Sequence, residues 1–232
     1  MESFDEFASN YDDLLKDPLR DRFAGGSAFF IKQKCRIVAR RLERLRRDAG
    51  RPLRVLDAGC GQGTSFLNIG SDTKVFGSDI SIQMLHDAVK RGPVAVQEPY
   101  ALPFADDTFD AVYAFCIYHH IPDEEHVRHL TELRRVVRDG GEVMIFEHNP
   151  YNPVTARIFK RAPIDQGCHM IAPSRLRALF NGANFSELSS GFLLFVPEPL
   201  FPAFGALEKA LSWLPLGGQY FVAGRKTPPA SR

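Results

Sequence analysis

Between residues 50 and 150, short and mainly apolar runs alternate with longer segments whose apolar residues recur every three or four positions. Leu53 to Leu56 reads as a short buried strand, Lys74 to Gly77 as a second that closes on Asp79, and Val94 to Val96 as a third. Phe109 to Phe115 and Glu142 to Phe146 read as a fourth and a fifth. Residues 28–48 read as a helix, because Phe30, Ile31, Ile37, Val38, Leu42 and Leu45 fall at mostly helical spacing with arginines on the other face. Ile82 to Val89 is helical. Asp123 is the N-cap candidate of a helix through Val137 with Gly140-Gly141 as its stop, and Pro173 to Phe180 is a further helix ended by Asn181-Gly182. Strands alternating with helices predict a parallel sheet covered on both faces. Such sheets bind ligands at the carboxyl ends of their strands, so the chemistry is to be sought just after each strand.

Composition adds bounds. A chain of 232 residues, 44% hydrophobic and 25% charged, suits one α/β domain with a full core. A formal net charge of +1 gives no global attraction to nucleic acid or membranes. Cys35, Cys60, Cys116 and Cys168 contain no C-x-x-C pair, so we expect neither a zinc site nor a disulfide framework, no bound metal, and a reducing, cytoplasmic setting. The start, MESFDEFASNYDD, lacks the apolar stretch of a signal peptide. The most apolar region, Leu188 to Val222, is interrupted by Pro197, Pro199, Pro202, Pro215, Glu208 and Lys209, too often for a spanning helix of roughly 20 residues. The tail TPPASR reads as frayed.

The segment VLDAGCGQG (Val55 to Gly63) ends a strand on Asp57 and places glycines at 59, 61 and 63. A dinucleotide fingerprint, G-x-G-x-x-G, would want a glycine where Thr64 stands. A carboxylate ahead of the turn would repel a pyrophosphate but attract a ligand carrying an ammonium and a sulfonium. Glycines let the backbone touch that ligand directly. The segment resembles the first motif of class I S-adenosylmethionine-dependent methyltransferases, in the branch that includes methyltransferase type 11 and quinone-biosynthesis enzymes. The likeness continues in order through Asp79, 22 residues after Asp57, then ALPFADDTFDAV, IYHHIPD and ELRRVVRDGGEVMIFE, covering roughly residues 50 to 150. It implies a Rossmann-like, seven-stranded, mostly parallel sheet flanked by helices in a single domain. Residues 1–50 would form a helical cap over the cofactor, 51–150 the cofactor-binding core, and 151–232 the C-terminal strands and acceptor-pocket cover. It also implies S-adenosylmethionine as cofactor, with Asp79 on the ribose hydroxyls, Glu98 on the adenine amino group, Ile80 and Met84 flanking the adenine, and Tyr11, Asp57, Gly59, Cys60, Gly61, Pro99 and Phe115 completing the site.

A hydroxyl acceptor would need a base, and histidine suits neutral pH. His119 and His120 follow the fourth strand, and Glu147 and His148 follow the fifth. Alternation along the chain predicts that His119 and His120 face different sides, with His120 the base and Glu147 or His148 its orienter or substitute. HNPYNP (His148 to Pro153) reads as a rigid loop shaping the acceptor pocket. The run Arg36, Arg40, Arg41, Arg44, Arg46, Arg47, Arg51 and Arg54 reads as a solvated face, or as a contact for phosphate or anionic lipid. Phe204, Leu207, Leu211 and Leu214 beside Trp213 make a helical stripe for core packing, for a lid, or for peripheral contact with a bilayer. We therefore expect a methyltransferase acting on a small-molecule acceptor, hydrophobic or lipid-linked, rather than on nucleic acid. The alternative is a catalytically inactive cofactor-binding scaffold or partner subunit.

Overall fold

Leu53, Val55 and Leu56 are all fully buried, although successive side chains of a strand face opposite ways. That requires cover on both faces of the sheet. The computed structural model describes residues 4–227, and the reading of TPPASR as frayed falls, from position 228 onward, outside the described residues. In chain order the elements are α1 (Tyr11–Leu14), α2 (Pro18–Phe23), α3 (Ser27–Ala49), β1 (Leu53–Ala58), β2 (Thr73–Asp79), α4 (Ile82–Ala88), β3 (Val94–Val96) and β4 (Phe109–Phe115). Then come α5 (His126–Val136), β5 (Val137–His148), α6 (Pro153–Phe159), α7 (Pro173–Gly182), β6 (Ser186–Leu193), α8 (Phe201–Phe204), α9 (Leu207–Ala210) and β7 (Gln219–Arg225). The seven strands lie in the order β3-β2-β1-β4-β5-β7-β6. β1, β2, β3, β4 and β5 are mutually parallel, and β7 runs antiparallel to both β5 and β6.

Two cores result. Leu56, Ala58, Val112, Ala114, Val143 and Ile145 face α5 and α7, meeting Leu130, Leu133, Leu176 and Phe180. Leu53, Val55, Ala111, Tyr113, Met144 and Phe146 face the other way, onto Cys35, Val38, Leu42 and Leu45 of α3. The arginines of α3 and the segment after it are not merely solvated. Arg41 forms a bidentate pair with Glu142 and donates to Ser189 Oγ at 2.8 Å. Arg51 grips Asp110 at 2.8 and 2.9 Å.

Three expectations need correction. Asp123 does not cap α5: Pro122 leads into a 3₁₀ turn, Asp123–Glu125, and the helix starts at His126. Gly140-Gly141 do not stop that helix, which ends at Val136, and both lie within β5. Gly141 is there because a Cβ would stand 2.6 Å from the Asp110 carbonyl oxygen of the neighbouring strand. The apolar stripe from Phe204 to Leu214 is neither one helix nor core, being split between α8, α9 and a turn, with Phe204, Leu207 and Trp213 exposed.

Asp110 anchors the sheet at the end opposite the ligand edge. Its carboxylate accepts from Arg54 N at 2.8 Å, from both Arg51 nitrogens and from Arg138 Nε at 2.5 Å. Burial alone would raise its pKa, but the arginines and the backbone N–H outweigh that and lower it. The stabilisation is therefore full at neutral pH and fades as the pH falls through the depressed value. Asp110→Ala should cost about 2–3 kcal/mol in urea unfolding at pH 7, and the gap to wild type should narrow in acid.

Candidate active site

β1, β2, β4 and β5 end at one edge of the sheet, and the turns after them enclose a cavity of about 1280 Å³. The first turn is clipped to β2, with the N–H groups of Gly59 and Cys60 donating to Ser78 O at 2.8 and 3.0 Å. Gly59 has φ +74°, and a Cβ on it would stand 2.8 Å from Ile117 Cγ2 in the turn after β4. Asp57, buried, accepts a short bond from Ser65 Oγ on Oδ2, while its Oδ1 has no partner. Asp79, also buried, accepts from Gly61 N at 2.7 Å and Ser81 N at 2.9 Å. Burial raises the Asp57 carboxyl to about 7, and raises Asp79 as well.

Tyr11, Asp57, Gly59, Cys60, Gly61, Asp79, Ile80, Met84, Pro99 and Phe115 all line this cavity. Glu98 does not: it is exposed, and its neighbour Gln97 is buried, lines the cavity, and has an Oε1 without a partner. After the three-residue strand β3, the alternation of side chains turns position 97 inward and 98 outward. Lys34 of α3 is a second residue that sequence reasoning passed over. It is 6% exposed, its Nζ stands 4.7 Å above the Phe115 ring, and its nearest named polar neighbour is Cys116 Sγ at 3.7 Å. The signal was present, since a lysine at 34 interrupts the apolar face formed by Ile31, Cys35, Val38 and Leu42.

The turn after β4 begins at Cys116, whose φ of +56° bends the chain off the sheet while its N–H donates to Phe146 O at 2.8 Å. A 3₁₀ turn, Tyr118–His120, follows. This corrects the alternation argument: in a tight turn His119 and His120 face the same way, their ring centroids 4.1 Å apart. The orienter is also corrected. Glu147, fully buried outside the cavity lining, accepts Tyr118 N at 2.8 Å and the Nδ1–H of His119, not His120, at 2.7 Å. Asp165, in a 3₁₀ turn Pro163–Asp165 that sequence reasoning did not single out, places Oδ1 at 3.3 Å from His119 Nε2 and 3.5 Å from His120 Nε2. Burial lowers the His119 pKa, but the Glu147 and Asp165 carboxylates outweigh it and raise it overall. Burial and the neighbouring His119 lower His120 to about 4, and His148 likewise. The HNPYNP loop is rigid: Asn149 donates to Gly217 O at 2.7 Å, and Asn152 caps α6 through Val154 N and Thr155 N at 2.9 and 3.1 Å.

The family described as "Methyltransferase domain" matches residues 55–141. Residues 55–141 thus carry a methyltransferase domain, set in a class I methyltransferase fold. Among curated relatives of the chain, phosphatidylethanolamine N-methyltransferase of Cereibacter sphaeroides is 36% identical over 104 residues, 41% of this chain and 50% of that protein. The tRNA (carboxymethyluridine(34)-5-O)-methyltransferase of Arabidopsis thaliana is 33% identical over 93 residues, 39% of this chain and 23% of that protein. The match thus spans half or less of these relatives. A SAM-dependent methyltransferase of Thermotoga maritima has the same fold, with a TM-score of 0.68 at 19% identity, covering 97% of this chain and 98% of that one. Phosphoethanolamine N-methyltransferase 2 of Haemonchus contortus, of the same fold with a TM-score of 0.55 at 16% identity over 77% of this chain and 49% of that one, is in complex with S-adenosyl-L-methionine. The residues present fit it: the orphaned Asp57 Oδ1 suits a cation, Asp79 retains lone pairs for hydroxyl donors, and Gln97 Oε1 suits an amino group.

The Gly59–Ile117 contact makes a direct test of how the two turns are held together. Gly59→Ala should lower stability by about 1–2 kcal/mol for the left-handed backbone, with more from the collision. Adding Ile117→Ala should recover only the collision part in thermal unfolding. A Gly59→Ala protein as stable as wild type would mean that the turn is free to move.

Proposed function

We propose that the protein transfers the methyl group of S-adenosylmethionine to a small acceptor with a hydrophobic, lipid-like body. The observation that carries this reading is the cavity itself. At about 1280 Å³ it exceeds the roughly 300–1000 Å³ that one drug-sized ligand occupies, so it has room for a second molecule beside the cofactor. Apolar side chains form much of its lining, Leu14, Leu19, Phe23 and Ile31 from the N-terminal helices and Val154, Ile158, Phe159, Ile164, Leu194 and Phe195 from the C-terminal part, with Lys16, Asp17, Arg20, Asp21 and Arg161 also reaching it. That lining suits an acyl or polyprenyl body rather than a polynucleotide, whose backbone calls for a basic groove. Leu216 both lines the cavity and is exposed beside Trp213, which suits contact with a lipid surface near the cavity. No helix among the described residues is long and apolar enough to cross a membrane.

In this reading residues 1–50 cap the cofactor, 51–150 bind it and 151–232 cover the acceptor. Asp57 takes the ammonium, Lys34 the carboxylate of the same methionine end, Asp79 the ribose hydroxyls and Gln97 the adenine amino group. Ile80, Met84, Pro99 and Phe115 flank the rings. The sulfonium supplies an activated methyl carbon; what the chain contributes is alignment and exclusion of water, worth about 7–11 kcal/mol at best. His120 holds the acceptor's heteroatom and receives its proton if that atom is a hydroxyl, while Glu147 and Asp165 fix His119 beside it.

Two outcomes are expected. A carboxyl standing at about 7 loses its charge as the pH falls through that value, and the ammonium then loses its partner. Affinity for S-adenosylhomocysteine, measured calorimetrically, should be about tenfold weaker at pH 6 than at pH 8, and Asp57→Asn should be weak and nearly flat over that range. Incubating a cell extract with methyl-labelled cofactor should place label in an organic-extractable product, and His120→Ala should reduce it about 100-fold with cofactor affinity unchanged. Label in RNA would refute the acceptor class. Cofactor binding with no labelled product would favour a scaffold.

A further inference from the structure

The same cluster of side chains presents three donor atoms in an arrangement that methyl transfer does not require. His119, His120 and Asp165 each offer one ligand atom, and these three atoms lie within 4.8 Å of one another. With metal–ligand bonds of about 2.1 Å, donors in a tetrahedral shell stand about 3.4 Å apart. Two edges of the cluster measure 3.3 and 3.5 Å. We propose that His119, His120 and Asp165, which all line the cavity, form a binding site for a divalent first-row transition ion of the zinc or cobalt type.

Three further features support a metal over a simple ion pair. Two imidazoles and one carboxylate are a donor set that catalytic zinc sites use, with a remaining position open to water or substrate. His119 is oriented as a metal ligand should be. Its Nδ1–H donates to the buried Glu147, itself fixed by Tyr118 N, which aims Nε2 at the site in the carboxylate–imidazole–metal order. His120 has the corresponding outer neighbour in Cys168, whose Sγ stands 3.2 Å from Nδ1. Both imidazoles converge on one oxygen, yet the His120 distance of 3.5 Å is long for a hydrogen bond. An ion between the three would be bonded to all of them at the separations they already have.

The expectation of no metal, drawn from the absence of paired cysteines, did not weigh this donor set, because Asp165 is 45 residues from His120 in sequence. The open position would lie where the acceptor's heteroatom sits in the proposed reaction, so in the metal-loaded protein the ion, rather than His120, would hold and polarise that atom. This use rests on the methyltransferase reading; binding of the ion does not.

The test uses the full chain, stripped with a chelator and titrated with Zn²⁺ and with Co²⁺. Calorimetry should give one ion per chain, and Co²⁺ should develop the visible absorption of four- or five-coordination. Asp165→Asn and His120→Gln should each weaken binding at least tenfold, with thermal stability and S-adenosylhomocysteine affinity close to wild type as evidence of an intact fold. Substoichiometric binding, or equal binding by Asp165→Asn, would overturn the site and leave an ion-pair network. The two readings fail separately: lost S-adenosylhomocysteine binding with intact Co²⁺ binding would count against the cofactor assignment alone, and the reverse result against the metal alone.

Discussion

Four carboxylates sit out of water at the ligand edge of one sheet, and a buried charge must be neutralised or compensated. Asp57, Asp79 and Glu147 stand at the ends of β1, β2 and β5, and Asp165 leans in from the C-terminal part of the chain. Each is compensated differently, and the difference sorts their chemistry. Backbone N–H groups satisfy Asp79 and so lock the glycine turn to the start of α4. Glu147 and Asp165 hold His119 between them. Asp57 keeps one oxygen without a partner, so a cation from outside would complete what the fold leaves open.

The parallel arrangement explains why these groups meet. Strands in register, from Leu53↔Thr73 through Ala58↔Ser78 and from Val55↔Ala111 onward, bring residues some 20 to 60 positions apart to a common line. Side chains of α1, α2, α3 and α6, among them Leu14, Phe23, Ile31 and Ile158, join that polar line in bounding the cavity.

The strands and the glycine turn were legible because their signals are local. The run Phe109 to Phe115 is apolar on both faces, and Val94 to Val96 is bounded by Pro93 and polar residues. What escaped was set by geometry that no short window contains. Gln97 rather than Glu98 faces inward because of how β3 ends. His119 and His120 share a side because a 3₁₀ turn replaces a strand at that point. Lys34 was written into a helical apolar face, between Ile31 and Cys35, but drew no separate reading there. Asp165 carries no motif at all. Its role is visible only once α6 has folded across the edge of the sheet.

Among the described residues, the seventh strand in chain order is not the last in space: β7 inserts between β5 and β6, and β6 has no other described strand neighbour. While the ribosome is still short of residues 219–225, the outer edge of β5 stays open and β6 has nothing to pair with. Unpaired edges of this kind invite association with other chains. The nascent protein therefore passes through an aggregation-exposed stage that ends only when Gln219–Arg225 emerges, and its yield in cells will be sensitive to translation speed and chaperone supply over that interval.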